Sequence, residues 1–104
     1  MHSRIATYRI KGDVHELARK AEEGMLPIFQ AQPGFQAYNL AVGGDVLTSM
    51  SAWDSAEDAE AASPLAAKWI ADNIADQIEL IDVRTSEILL ATALGVSPTA
   101  TATA

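Results

Sequence analysis

The stretch Phe35-Gln36-Ala37-Tyr38-Asn39-Leu40-Ala41-Val42-Gly43-Gly44-Asp45-Val46-Leu47-Thr48-Ser49-Met50-Ser51-Ala52-Trp53 decides the fold. Two runs that read as strands flank a Gly-Gly-Asp punctuation, and glycine tolerates the positive φ that tight hairpin turns demand. The chain therefore places an antiparallel hairpin at its centre. Strict alternation divides the first arm into Phe35, Ala37, Asn39 and Ala41 on one face and Gln36, Tyr38, Leu40 and Val42 on the other. If Phe35 is core, Asn39 shares its face and Tyr38 belongs to the opposite one.

Outward from the hairpin, each side carries a helix and then a strand. On the N-terminal side, Val14, Leu17, Ala18, Ala21, Met25, Ile28 and Phe29 recur at helical intervals. Asp13 and Glu16 have the spacing of a capping box. Gly24 and Pro27 weaken the last turns, so a kink or early end is expected near Gly24. Before this helix, Ser3 to Ile10 alternates as a strand. On the C-terminal side, Ser55 with Asp58 opens a second helix through Ala56, Ala59 and Ala62. Ser63-Pro64 is expected to interrupt it, with a new segment restarting there. Gln77 to Leu90 reads as a long fourth strand. The domain spans 1–94, and 95–104, ending in alternating Thr and Ala, reads as a disordered tail.

The order β-α-β-β-α-β is the ferredoxin-like α+β pattern, a four-stranded antiparallel sheet with two helical regions. Two helices cover one face of such a sheet, yet both faces carry apolar residues, and the fourth strand ends in Ile88-Leu89-Leu90. Large exposed apolar patches are rare on monomers, so a homodimer closing sheet against sheet is expected.

Composition narrows the function. The chain has 104 residues, a formal charge of −7 and no cysteine. Residues 1–34 carry +1 and residues 35–104 carry −8. Thiol chemistry and disulfides are excluded. Acidity argues against nucleic acid, whose phosphates require clustered Lys and Arg. No apolar run is long enough to span a membrane and no leader pattern opens the chain, so a cytoplasmic protein is expected. No phosphate loop or nucleophile elbow appears.

Two junctions carry a resemblance. Gln32-Pro33-Gly34-Phe35-Gln36-Ala37-Tyr38 joins helix to strand, and Ser51-Ala52-Trp53-Asp54-Ser55-Ala56-Glu57-Asp58-Ala59 joins strand to helix. Together they resemble the antibiotic biosynthesis monooxygenase family of dimeric α+β barrels, over about residues 3–90. The resemblance implies a homodimer, a pocket between sheet and helices, and oxidation of a phenol or quinol by O₂ with no metal or prosthetic group. A haem-degrading branch uses an Asn on the first strand with a Trp and a His on the second helical region. This chain has no such Asn and only His2 and His15, so the resemblance does not extend to haem.

Oxygenation without a cofactor needs an apolar cavity that favours a substrate anion and shields it from water. The candidates are Trp69 and Asn73 on the second helix, Tyr38 and Asn39 on the second strand, and Arg84 and Arg9 on outer strands. The resemblance makes Trp69 the helix tryptophan of the pocket; it reads equally as the anchor of an alanine-rich helix. Asn73 would orient a carbonyl or phenol, or simply lie near the helix end. Asn39 is either a pocket amide or a satisfied structural one. Arg84 shares a face with Asp82, either as an ion pair or as an anchor for an anion. Trp53 reads as a core wedge, and His15 as an exposed residue of the first helix. Asp72, Asp76 and Glu79 read as acidic surface rather than a metal site. Two further functions remain open: a small-molecule-binding dimer without oxygenase activity, and a non-oxidative rearrangement or cyclisation enzyme on the same fold.

Overall fold

A computed structural model describes residues 1–98; residues 99–104, most of the expected tail, lie outside the described residues. The elements are β1 (His2–Ile10), α1 (Val14–Lys20), a π-helical turn (Ala21–Met25), α2 (Leu26–Gln30), β2 (Phe35–Gly43), β3 (Val46–Trp53), α3 (Ala56–Asn73) and β4 (Ile78–Glu87). A short 3₁₀ turn, Thr92–Leu94, follows, and Ala91 bridges Val96 beyond it. The sheet order is β2-β3-β1-β4 and every pairing is antiparallel. This is the α+β ferredoxin-like fold. No described helix is long and apolar enough to cross a membrane.

Local chemistry explains each boundary. Gly44, at φ 59°, closes the hairpin between β2 and β3. Asp13 caps α1 by accepting from the backbone N–H groups of His15 and Glu16, and Ser55 caps α3 by accepting from Asp58. The first helical region bends without ending at Gly24. Its turns widen, and the Leu26 N–H donates to the Ala21 carbonyl five residues back. Pro27, which has no N–H to give, then falls in the first turn of α2, where that loss is tolerated.

Three expectations are corrected. The helix after Ser55 runs unbroken through Ser63-Pro64. Proline inside a helix costs about 3 kcal/mol, but Glu60 and Pro64 face solvent, while Ala59, Ala62 and Ala66 are buried against the sheet. The carbonyl that Pro64 leaves unpaired lies on the wet side. The fourth strand ends at Glu87, not Leu90. β1 offers no partner past its first residues, where Ile88 N–H meets the Met1 carbonyl, and the chain turns away.

The third correction concerns faces. Phe35 pairs with Trp53 and Ala37 pairs with Ala52, so Gln36 is an extra residue in a β-bulge. A bulge shifts the alternation by one. Phe35 and Tyr38 therefore lie on the same, helix-covered face, while Ala37 and Asn39 face the open side. A second irregularity places Ile81 between the partners of Tyr8 and Thr7. Asp82 and Arg84 thus join Asn39 on the open face.

The core lies between sheet and helices. At one end Phe29, Tyr38, Phe35 and Trp53 form edge-to-face ring contacts with centroids 5.2–5.5 Å apart. Trp53 is fully buried, and its indole N–H donates to Ser51 Oγ at 2.8 Å. At the other end Ala6, Tyr8, Leu17, Leu47, Ile74 and Ile78 pack together.

Candidate functional site

Between these two clusters the packing is incomplete. A small cavity of about 30 Å³ lies under α3, walled by Phe29, Leu47, Trp69 and Ile70 with Arg4, Tyr8, Tyr38 and Ser49 as its polar members. Beside it, toward the β4 edge, an open cleft of about 450 Å³ is formed by Ala67, Ile70 and Ala71 of α3, Leu80 and Val83 of β4, and Arg4 and Tyr8 of β1. Arg4, Tyr8, Ile70 and Ile78 line both spaces. Alanines along this side of α3 keep the cleft open where larger side chains would fill it.

Arg4 is the unexpected member. It stands on β1 with Ala6 and Tyr8 on the helix-covered face and is only 3% exposed. Its Nε donates to Ser63 Oγ at 2.8 Å. Among the described residues no carboxylate pairs with it, whereas Arg9, Arg19 and Arg84 each have an acidic partner. The sequence does carry the signal: an arginine alternating with Ala6, Tyr8 and Ile10 sits on an apolar face, where a charge demands a reason.

Burial pushes the Tyr38 hydroxyl up to about 12, against a lowering hydrogen bond from Ser49 and the lowering charge of Arg4. Tyr38 therefore keeps its proton at neutral pH and can donate it in a hydrogen bond.

Of the six residues singled out in the sequence, Tyr38 and Trp69 line the cavity and the other four lie outside both spaces. Trp69 lines the cavity, with its indole lying against Gly24 of the π-helical turn. Asn73 is exposed one turn further on, and its Nδ2 donates to the Trp69 carbonyl at 2.9 Å. Together they border a shallow groove with Arg19 and Glu23 on the outer side of the indole. Asn39 lies on the open sheet face, beside Ile5, Met50 and the Leu89-Leu90 segment, in a concavity of about 670 Å³. Arg84, on that same face, is exposed and pairs with Asp82 at 3.2 Å. Arg9 pairs with Asp45 at 2.8 Å at the hairpin. His15 is exposed, and neither histidine lines either space under α3. Asp72 is held by Lys68 and Glu79 by Lys11, and no cluster of three or more metal-ligating side chains occurs among the described residues.

No family model matches the chain, and no curated protein does. Solved structures do match. MupZ from Pseudomonas fluorescens aligns with a TM-score of 0.66 at 10% identity, over 81% of this chain and 69% of that one. A Chloroflexus aurantiacus structure, named as a "putative" antibiotic biosynthesis monooxygenase, aligns with a TM-score of 0.65 at 22% identity, over 90% of this chain and 98% of that one. Protein Atu4242 from Agrobacterium tumefaciens gives a TM-score of 0.62 at 22% identity, over 92% and 99% of the two chains. What the three share with this chain is the ferredoxin-like α+β fold.

Proposed function

We propose that the chain is a cofactor-independent oxygenase of a small aromatic phenol or quinol, working between the sheet and α3. The observation that carries this reading is the makeup of the two spaces: aromatic and aliphatic walls, with no Asp, Glu, His or Cys lining either. Walls with so little acid–base chemistry leave the electrons to the substrate. The substrate ring would occupy the cleft with its oxygen directed at Tyr8, which lines both spaces. The Tyr8 hydroxyl would donate to a phenolate there and stabilise it. The anion then reduces O₂. In the balanced reaction a quinol becomes a hydroxyquinone: one oxygen atom enters the product, the other leaves as water, and the substrate supplies all four electrons. The apolar side chains of α3 and β4 that wall the cleft would limit water at the intermediate.

A second arrangement supports the same reading. The open sheet face carries Met50, Leu89 and Leu90, all exposed in one chain. A second copy packed sheet against sheet would bury them, and a chain this small gains much from that.

The shortage of a general base also favours a second function, binding of the same aromatic class without oxygenation. Oxygen-electrode assays over a panel of hydroquinones separate the two: uptake above buffer supports the oxygenase, and its absence across the panel with retained binding supports the second.

A further inference from the structure

We propose that the cleft under α3 selects an aromatic carboxylate, held by Arg4. The inference rests on the reading that this cleft is the binding site and adds the class of molecule it takes.

A guanidinium removed from water loses solvation that costs several kcal/mol unless another group replaces it. Buried charges are for that reason paired. Arg4 is 3% exposed, and neither Nη is among the fully buried atoms without a partner, so the access that remains is at the Nη end of the guanidinium. Arg4 receives one neutral partner, Ser63 Oγ, through Nε. No acidic residue among those described lines the small cavity or the cleft, although the chain has an excess of acidic groups elsewhere. Among the described residues none supplies an anion to Arg4, and Arg4 stands where a ligand in the cleft reaches it.

Geometry sets its shape. Nε is engaged on Ser63, so the guanidinium plane is fixed from the α3 side and its two Nη groups remain to form a fork. Such a fork matches the two oxygens of a carboxylate better than a single phenolate oxygen. The rest of the cleft is apolar, with Ala67, Ala71, Leu80 and Val83 as its walls. An aromatic ring fits there with its carboxylate on Arg4 and its far edge toward the open β4 side. Ser63 is a positioning residue: it touches Arg4 and holds the plane of the fork.

Calorimetric titration of the full chain with 1-naphthoate, 1-naphthamide and neutral 1-naphthol at pH 7 tests the proposal. The expected result is that naphthoate binds at least tenfold more tightly than the other two, and that Arg4→Met removes the difference while a hydrophobic side chain of similar length keeps the site filled. Should Arg4→Met fail to fold, side-chain ¹⁵N NMR of wild-type Arg4 gives the answer, because its Nη and Nε signals move with naphthoate and not with naphthamide. Equal affinities, tighter binding of naphthol, a preference that survives Arg4→Met, or Arg4 signals that do not move would each overturn it. These outcomes are independent of oxygen uptake, so a failed oxygenase assay leaves the carboxylate site standing and a failed titration leaves the oxygenase reading standing.

Discussion

The indole of Trp69 rests directly on Gly24: a Cβ at position 24 would stand 2.5 Å from Nε1 and 2.7 Å from Cζ2. This contact joins the π-helical turn to α3 and fixes one wall of the small cavity. Real Cβ atoms do not approach so closely, so Gly24→Ala must push the indole away. Loss of packing from such a displacement is worth about 1–3 kcal/mol. Urea unfolding should show that loss together with a red shift of tryptophan emission. An unchanged midpoint and spectrum would mean that the indole does not sit against the turn.

Trp53 anchors the other end of the core, fully buried among Phe29 and Phe35. Trp53→Ala should cost about 3–5 kcal/mol, the usual range for a large aromatic cut to alanine. It also strands the Ser51 hydroxyl that accepts the indole N–H. Thermal unfolding would register a large drop, and a loss below about 1 kcal/mol would contradict the packing described.

Tyr38 makes stability depend on alkaline pH. Its hydroxyl ionises near 10 when unfolded and at about 12 in the fold, so the native state holds the proton through that window. The contribution is complete below pH 10 and is lost as pH rises through 12. A shift of this size corresponds to at most about 2–3 kcal/mol. Chemical denaturation at pH 9 and at pH 11.5 should show a smaller decline for Tyr38→Phe than for wild type. Equal declines would place Tyr38 in water.

The bulge at Gln36 sets the face of everything after it in β2. Deleting Gln36 would leave Phe35 opposite Trp53 and Ala37 opposite Ala52 in a regular ladder, with Tyr38 and Leu40 still on the covered face and Asn39 on the open one, and an expected loss below about 1 kcal/mol. Circular dichroism and urea titration would report it, and a loss above about 3 kcal/mol would contradict the register described.

The same bulge explains what the sequence disclosed and what it hid. Alternation about Gly43-Gly44-Asp45 and the helical spacing from Val14 to Phe29 were enough for element order and sheet topology, because burial of one face imposes those periods. Gln36 looks like any outward polar residue of a strand, so nothing local announces that the count slips there. Asn39 consequently reads as facing the helices and lies on the open side. Pro64 reads as a break because its local cost is plain, whereas the burial of Ala59, Ala62 and Ala66 that offsets it belongs to tertiary structure. Trp69 was legible as a large residue on the inner stripe of α3. Arg4 was visible in the alternation of β1, but the absence of a carboxylate around it emerges only when strands and helix are brought together.

The account centres on the cleft under α3 as the place where a small aromatic molecule is held and oxidised. Ala67 lines that cleft from an exposed position on α3 and takes no part in binding hydrogen bonds. Oxygen uptake with a panel of hydroquinones, measured side by side for wild type and for an Ala67→Trp variant shown to be folded, tests this most directly. The account predicts uptake by wild type and at least a tenfold loss in Ala67→Trp, whose indole would occupy the substrate's space. Uptake that is undiminished in the filled variant, or absent from wild type with every hydroquinone, would contradict it.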